Sequence, residues 1–129
     1  MALSDLEFAL LIFCILQVKH FLADFVLQTT RMIHEKGIYG ANHGIYHSLW
    51  HAAGTLIAFV WLHPIIGLAA AFLDFLLHYH IDWAKTKINA HSKLTPQDRV
   101  FWVWFGADQL AHQLTYILLI WWIFFGLSL

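Results

Sequence analysis

Four apolar stretches of this chain each carry a histidine or aspartate pair spaced four residues apart: His20/Asp24, His47/His51, His78/Asp82 and Asp108/His112. On a helix, residues at i and i+4 share one face and lie about 6 Å apart along the axis. Carboxylates in such stretches are expensive, since an aspartate costs about 2.5–3.5 kcal/mol at a lipid-exposed helix centre. Asp24, Asp74, Asp82 and Asp108 together would then cost on the order of 10 kcal/mol, comparable with the whole stability of a typical domain, ~5–15 kcal/mol. Any fold open to the chain must turn these groups inward and pair them, hydrate them or bind them to a cation.

The composition is that of a membrane protein. The chain has 129 residues, 60% of them hydrophobic and only 12% charged, against roughly 25% charged in soluble domains. Seven Trp, eleven Phe and four Tyr suit lipid contact, with Trp102, Trp104, Trp121 and Trp122 placed as interfacial anchors. A formal net charge of -1 gives no electrostatic basis for nucleic-acid binding. The lone Cys14 excludes an intrachain disulfide framework and a Cys-rich zinc ribbon, and its apolar surroundings predict a small buried hydrophobe. The acidic start, Met1 to Asp5, and the lack of a small-residue cleavage site after the apolar run predict a retained signal-anchor helix.

The punctuation divides the chain into helices over 4–29, 43–63, 64–89 and 96–126, in a single domain spanning 1–129. Ser4 suits the first N-cap. Arg31, Lys36, Gly37, Gly40 and Asn42 mark a loop, Pro64 suits a first helical turn, and Thr95-Pro96-Gln97-Asp98 reads as an N-cap, a proline and an acid opening the last helix. Each segment is long enough to cross a ~30 Å hydrocarbon core. The predicted fold is therefore an all-α integral membrane protein, a four-transmembrane-helix up-down bundle. All seven Lys and Arg fall on one predicted side of it. The positive-inside rule then places both termini outside and both longer loops in the cytoplasm of a bacterial inner membrane or its equivalent.

With alternating helix directions, all four pairs reach one depth in the cytoplasmic half. Two runs are longer: His43, His47 and His51, and Asp74, His78 and Asp82, since eight residues turn a helix by only ~80°. Carboxylates converging with neutral imidazoles predict a divalent metal site, and four-helix bundles host such sites. The expected ligands are His20, Asp24, His47, His51, His78, Asp82, Asp108 and His112, with His43 and Asp74 as further candidates. Ten donors exceed the four of one zinc ion, so one or two ions fit; zinc is the expected metal, with manganese or iron as alternatives. A metal-free hydrogen-bonded network is the structural alternative. His34, His63, His80 and His91 read as loop or packing residues, and Gly54, Gly67 and Ala69 to Ala71 as close helix packing.

His20-x3-Asp24-Phe25-x2-Gln28, His47-x3-His51, His78-x3-Asp82-x2-Lys85 and Asp108-Gln109-x2-His112 together resemble a family of small bacterial and phage integral membrane proteins, the domain of unknown function 3307. That resemblance implies a membrane-spanning helical protein and no particular activity. More loosely, the chain is similar to membrane-bound metal-dependent hydrolases, which carry His and Asp motifs on apolar helices. It lacks the H-x-x-H-H boxes of the membrane fatty-acid desaturases and hydroxylases.

The expected function is an intramembrane metal-dependent hydrolase acting on a lipid or lipid-linked phosphate at the cytoplasmic face. Asp74 or Asp82 would serve as general base. Lys19 and Lys85, with Arg31 at the mouth, would hold an anionic head group, or else snorkel. The partners are the lipid bilayer and the lipid-like substrate; the oligomeric state is open. The alternatives are a metal or proton transporter, a di-iron oxygenase and a non-catalytic bacterial or phage membrane protein. Against transport, Leu56 to Trp61 and Ile117 to Phe125 continue no ligand stripe toward the far side.

Overall fold

The computed structural model describes residues 4–127 and is helical throughout, with no strand among them. The signal-anchor motif at 1–3 and the extreme C-terminus at 128–129 lie outside the described residues. Helix α1 runs over Asp5–Phe21 and widens into a π-helical turn at Leu22–Val26, closed by the Leu27 amide on the Leu22 carbonyl at 2.8 Å. Its start is a capping box: Ser4 Oγ accepts from the Glu7 amide at 3.3 Å, and the Glu7 carboxylate accepts from the Ser4 amide at 2.8 Å. This satisfies two backbone donors reciprocally.

A six-residue helix α2, Thr30–Glu35, occupies what the sequence presents as loop, capped by the Thr29 hydroxyl. Helix α3 covers Asn42–Phe59, α4 covers Pro64–His91, and α5 covers Arg99–Trp121 with a second π turn at Trp122–Gly126. The last helix begins three residues later than the Thr95-Pro96 signal suggests. Thr95 donates its amide and hydroxyl to Asp98 Oδ2, at 2.8 and 2.9 Å, closing a separate turn instead of capping the helix. Those two bonds hold the Asp98 carboxyl below its ordinary range.

Three helical stretches are long and apolar enough to cross a membrane: Asp5–Val26, Pro64–His91 and Arg99–Gly126. The four spans read from the sequence are thus corrected to three. Helix α3 stops at Phe59, short of the expected His63. Its 18 residues reach about 27 Å at ~1.5 Å each, and Asn42, His43, His47, Ser48, His51 and Thr55 dilute its apolar character.

Four helices close a ring in which each neighbour runs antiparallel to the last. Lys19 and Asp24 of α1 meet His51 and His47 of α3, in reversed order. Thr55 and His47 of α3 meet Asp74 and His78 of α4. Asp82 and Lys85 of α4 meet His112 and Asp108 of α5. His20 and Phe8 of α1 meet Tyr116 and Phe124 of α5. At the α3–α4 turn, a Cβ on Gly67 would lie 2.9 Å from the Val60 backbone, so only glycine allows this approach.

The outer face of the bundle is largely apolar, and its interior combines an apolar cluster with many polar groups. Leu10, Val18, Ile57, Leu68, Phe72 and Leu118 are exposed, whereas thirteen polar residues, His51, Asp74 and His78 among them, are buried. Cys14, contrary to the sequence reading, is on the exposed face of α1.

Candidate metal centre

All eight members of the four pairs are buried side chains. Helical periodicity puts each pair on one stripe, and the π turn of α1 carries Asp24 inward. Asp24, His47, His51 and His78 each bring a donor atom to within 4.8 Å of the others, and so do His78, Asp82 and His112. This buried His/Asp group can hold a metal ion.

The donor spacings are specific. Asp24 Oδ1 lies 3.0 Å from His47 Nε2 and 3.2 Å from His51 Nε2. His47 Nε2 is 3.2 Å from His78 Nε2 and 3.3 Å from Asp82 Oδ2, and His78 Nε2 is 3.2 Å from the same oxygen. Zinc–nitrogen bonds of ~2.0–2.1 Å at tetrahedral angles set neighbouring ligands ~3.3 Å apart. Hydrogen bonds have similar lengths, so satisfaction decides between the two. Asp82 Oδ1, Asp108 Oδ1 and His112 Nε2 are buried without any hydrogen bond, and the ion pair of Asp82 Oδ2 is with the Lys36 ammonium at 2.9 Å. Close approach without hydrogen-bond direction leaves these lone pairs unused, and buried polar atoms ordinarily find partners.

A second layer holds the first. His20 Nε2 faces Gln109 Oε1 at 3.0 Å and Asp24 Oδ2 at 3.2 Å, while its Nδ1 meets the Tyr116 hydroxyl at 2.9 Å. Gln109 also donates to Asp108 Oδ2 at 3.2 Å. His20 and Gln109 thereby occupy one side of Asp24 and leave Oδ1 toward the imidazoles. Lys36 Nζ reaches in from the end of α2, 2.9 Å from Asp82 Oδ2 and 3.7 Å from Asp24 Oδ1. Lys85 Nζ is 3.3 Å from Asp108 Oδ2.

The cluster opens toward the loop end of the bundle. A cavity of about 620 Å³ there is lined by Asp24 and Gln109 of the cluster, by Lys36, Lys85 and Lys93, and by Phe25, Phe101 and Phe105.

The family model described as "Protein of unknown function (DUF3307)" matches residues 12–129. The chain belongs to this family. No curated protein and no solved structure matches it.

Within this DUF3307 chain, several residues singled out by sequence stand elsewhere. His43 points its ring and amide at Glu35 Oε2, at 2.9 and 3.0 Å, outside the cluster. Those bonds, the amide's first, hold the Glu35 carboxyl below its ordinary range. Asp74 is engaged by Lys19 Nζ at 2.7 Å and by the Thr55 hydroxyl at 2.6 Å. Unlike Lys36 and Lys85, neither Lys19 nor Asp74 lines the cavity beside the cluster. Lys19 also donates to the His51 carbonyl at 3.0 Å and lies over the Tyr116 ring. Arg31 is largely exposed, 3.8 Å from Glu35, and does not line the cavity.

Lys36 and Gln109 are functional candidates that sequence reasoning passed over. Gln109 is one residue beyond Asp108 and so about 100° off the ligand stripe. Lys36 reads as one more loop cation, and its path inward is set by α2, which the sequence did not signal.

Proposed function

We propose that this protein is an intramembrane metal-dependent hydrolase that acts on a lipid phosphate or lipid-linked phosphate from the loop end of the bundle. The observation that carries the proposal is the junction of a buried His/Asp cluster with a cavity lined by both lysines and phenylalanines. An amphiphile with an anionic head fits such walls. Lys36 and Lys85 neutralise the head group beside the cluster, and Phe25, Phe101 and Phe105 hold the chain of the substrate. Asp24, His47, His51, His78, Asp82, Asp108 and His112 hold the ion, with His20 and Gln109 positioning Asp24. A bound divalent ion, zinc in the leading case, lowers the pKa of its water toward ~7 and polarises the phosphoryl group.

Three helices long and apolar enough to cross a membrane support a bilayer setting, and the positive-inside rule favours a cytoplasmic cation-bearing end. Transport is disfavoured by the other end. There Ile12, Leu16, Phe59, Tyr116 and Ile123 are fully buried against one another, with no polar route past them.

The test uses detergent-purified full-length protein supplied with Zn²⁺ or Mn²⁺. It should retain the metal through desalting and release inorganic phosphate from a long-chain alkyl phosphate in mixed micelles. Excess chelator should abolish that release, and a short water-soluble phosphate monoester should be a poorer substrate. Metal retained without phosphate release from either compound sinks the hydrolase; no metal retained sinks the centre itself.

A further inference from the structure

Asp82 turns its two oxygens to different partners. Oδ2 faces the Lys36 ammonium at 2.9 Å and His47 and His78 at 3.3 and 3.2 Å, whereas Oδ1 faces His112 Nε2 at 3.7 Å. His112 Nε2 in turn lies 3.5 Å from Asp108 Oδ1. Asp82 Oδ1, Asp108 Oδ1 and His112 Nε2 are all buried, and none has a hydrogen-bond partner. The residues carrying them are 2%, 4% and 1% exposed. Both separations from His112 Nε2 are long for hydrogen bonds.

We propose that these three atoms form a second cation site, so that the cluster takes two divalent ions bridged by the Asp82 carboxylate. This rests on the metal reading above and adds stoichiometry and a division of labour to it. Carboxylate-bridged ions in two-metal hydrolytic sites stand about 3.5–4 Å apart, a span that one carboxylate can bridge. The first ion takes Asp24 Oδ1, His47, His51, His78 and Asp82 Oδ2, enough to fill a zinc coordination shell. The second takes three protein donors, which leaves a position open for water or substrate, the arrangement of a catalytic rather than a structural ion.

The cavity adjoins both sites: Asp24 of the first lines it directly, and the second meets it through the residues that hold Asp108. Asp108 Oδ2 is held by Lys85 at 3.3 Å and Gln109 at 3.2 Å, and both residues line that cavity. Charge favours the same substrate class. Two divalent ions with Lys36, Lys85 and Lys93 outweigh Asp24, Asp82 and Asp108, a net positive charge that an anionic phosphate offsets.

Manganese-loaded wild-type protein in detergent provides the test, by elemental mass spectrometry and electron paramagnetic resonance. Two ions per chain with an exchange-coupled spectrum are expected. His112→Ala and Asp108→Asn should each keep one ion and show an uncoupled mononuclear spectrum. One ion per chain in the wild type overturns the second site and leaves the single-ion centre standing. Two ions without coupling overturn the Asp82 bridge, and no bound ion overturns both proposals. Should a variant fail to fold, as circular dichroism would show, the wild-type stoichiometry and coupling decide the matter alone.

Discussion

The two ends of this bundle are built on the same inward stripes of the same helices, yet they do opposite things. At the end bearing the α3–α4 turn, the stripes carry Ile12, Leu16, Ala58, Phe59, Ala70, Leu119 and Ile123, packed with Tyr116 into one apolar cluster. At the loop end they carry the imidazoles and carboxylates. One end fixes the spacing of the helices by contact; the other inherits that spacing and uses it to hold donors at 3.0–3.3 Å. Preorganised sites of this kind depend on rigid support. The seam between the ends is itself specific. Tyr116 belongs to the apolar cluster by its ring and to the donor cluster by its hydroxyl on His20, while Lys19, Asp74 and Thr55 close the gap with a buried ion pair.

The largest effect is expected at that seam. Asp74→Leu leaves the Lys19 ammonium buried without its partner, which should cost about 3–5 kcal/mol. The double variant Lys19→Met/Asp74→Leu, which removes both charges, should recover to within about 1 kcal/mol of wild type. Unfolding in detergent, followed by circular dichroism, measures both. If Asp74→Leu alone is as stable as wild type, the pair does not join the two ends.

Next in size is the apolar end taken alone. Phe59 is fully buried, and Phe59→Ala removes packing worth about 3 kcal/mol. Bound metal per folded molecule should stay at the wild-type value. Loss of metal in step with loss of stability would show that the two ends are not separable.

This division was partly legible in the sequence. The four pairs lie on common faces because 3.6 residues per turn fixes which side chains align, and their shared depth follows from helices that alternate in direction. What periodicity cannot say is which axial neighbour a residue meets. Asp74 sits one turn above His78 on the same stripe, but α1 presents Lys19 at that level, so Asp74 is drawn into an ion pair. His43 is one turn before His47, where α3 is beginning, and Glu35 caps it there. Both were read as extensions of the ligand stripe, and both fall beyond its ends. Helix α3 was read as a span by length, yet the same polar residues that build the site remove it from the helices apolar enough to cross a membrane. Lys36 and Gln109, named in the sequence but given no site role, reach the centre through a short unannounced helix and through a neighbouring face, and neither leaves a periodic trace.

The smallest effect separates two cations that the sequence places in one loop. Arg31 is exposed and only 3.8 Å from Glu35, a solvent-screened pair, so Arg31→Ala should shift stability by less than about 0.5 kcal/mol. It should also leave alkyl phosphate hydrolysis unchanged, although its charge and position in the chain had suggested a role at the mouth. Lys36, five residues on, is 7% exposed and contacts both Asp82 and Asp24. Lys36→Ala should lower kcat/KM about 10- to 100-fold, the equivalent of a charged hydrogen bond of ~1.5–3 kcal/mol. Because Lys36 also offsets carboxylate charge, its loss should leave metal retention equal to or stronger than wild type. Equal kinetic losses in the two variants would mean that net positive charge at the loop end, and not the placement of one ammonium beside the cluster, governs how the anionic head group is held.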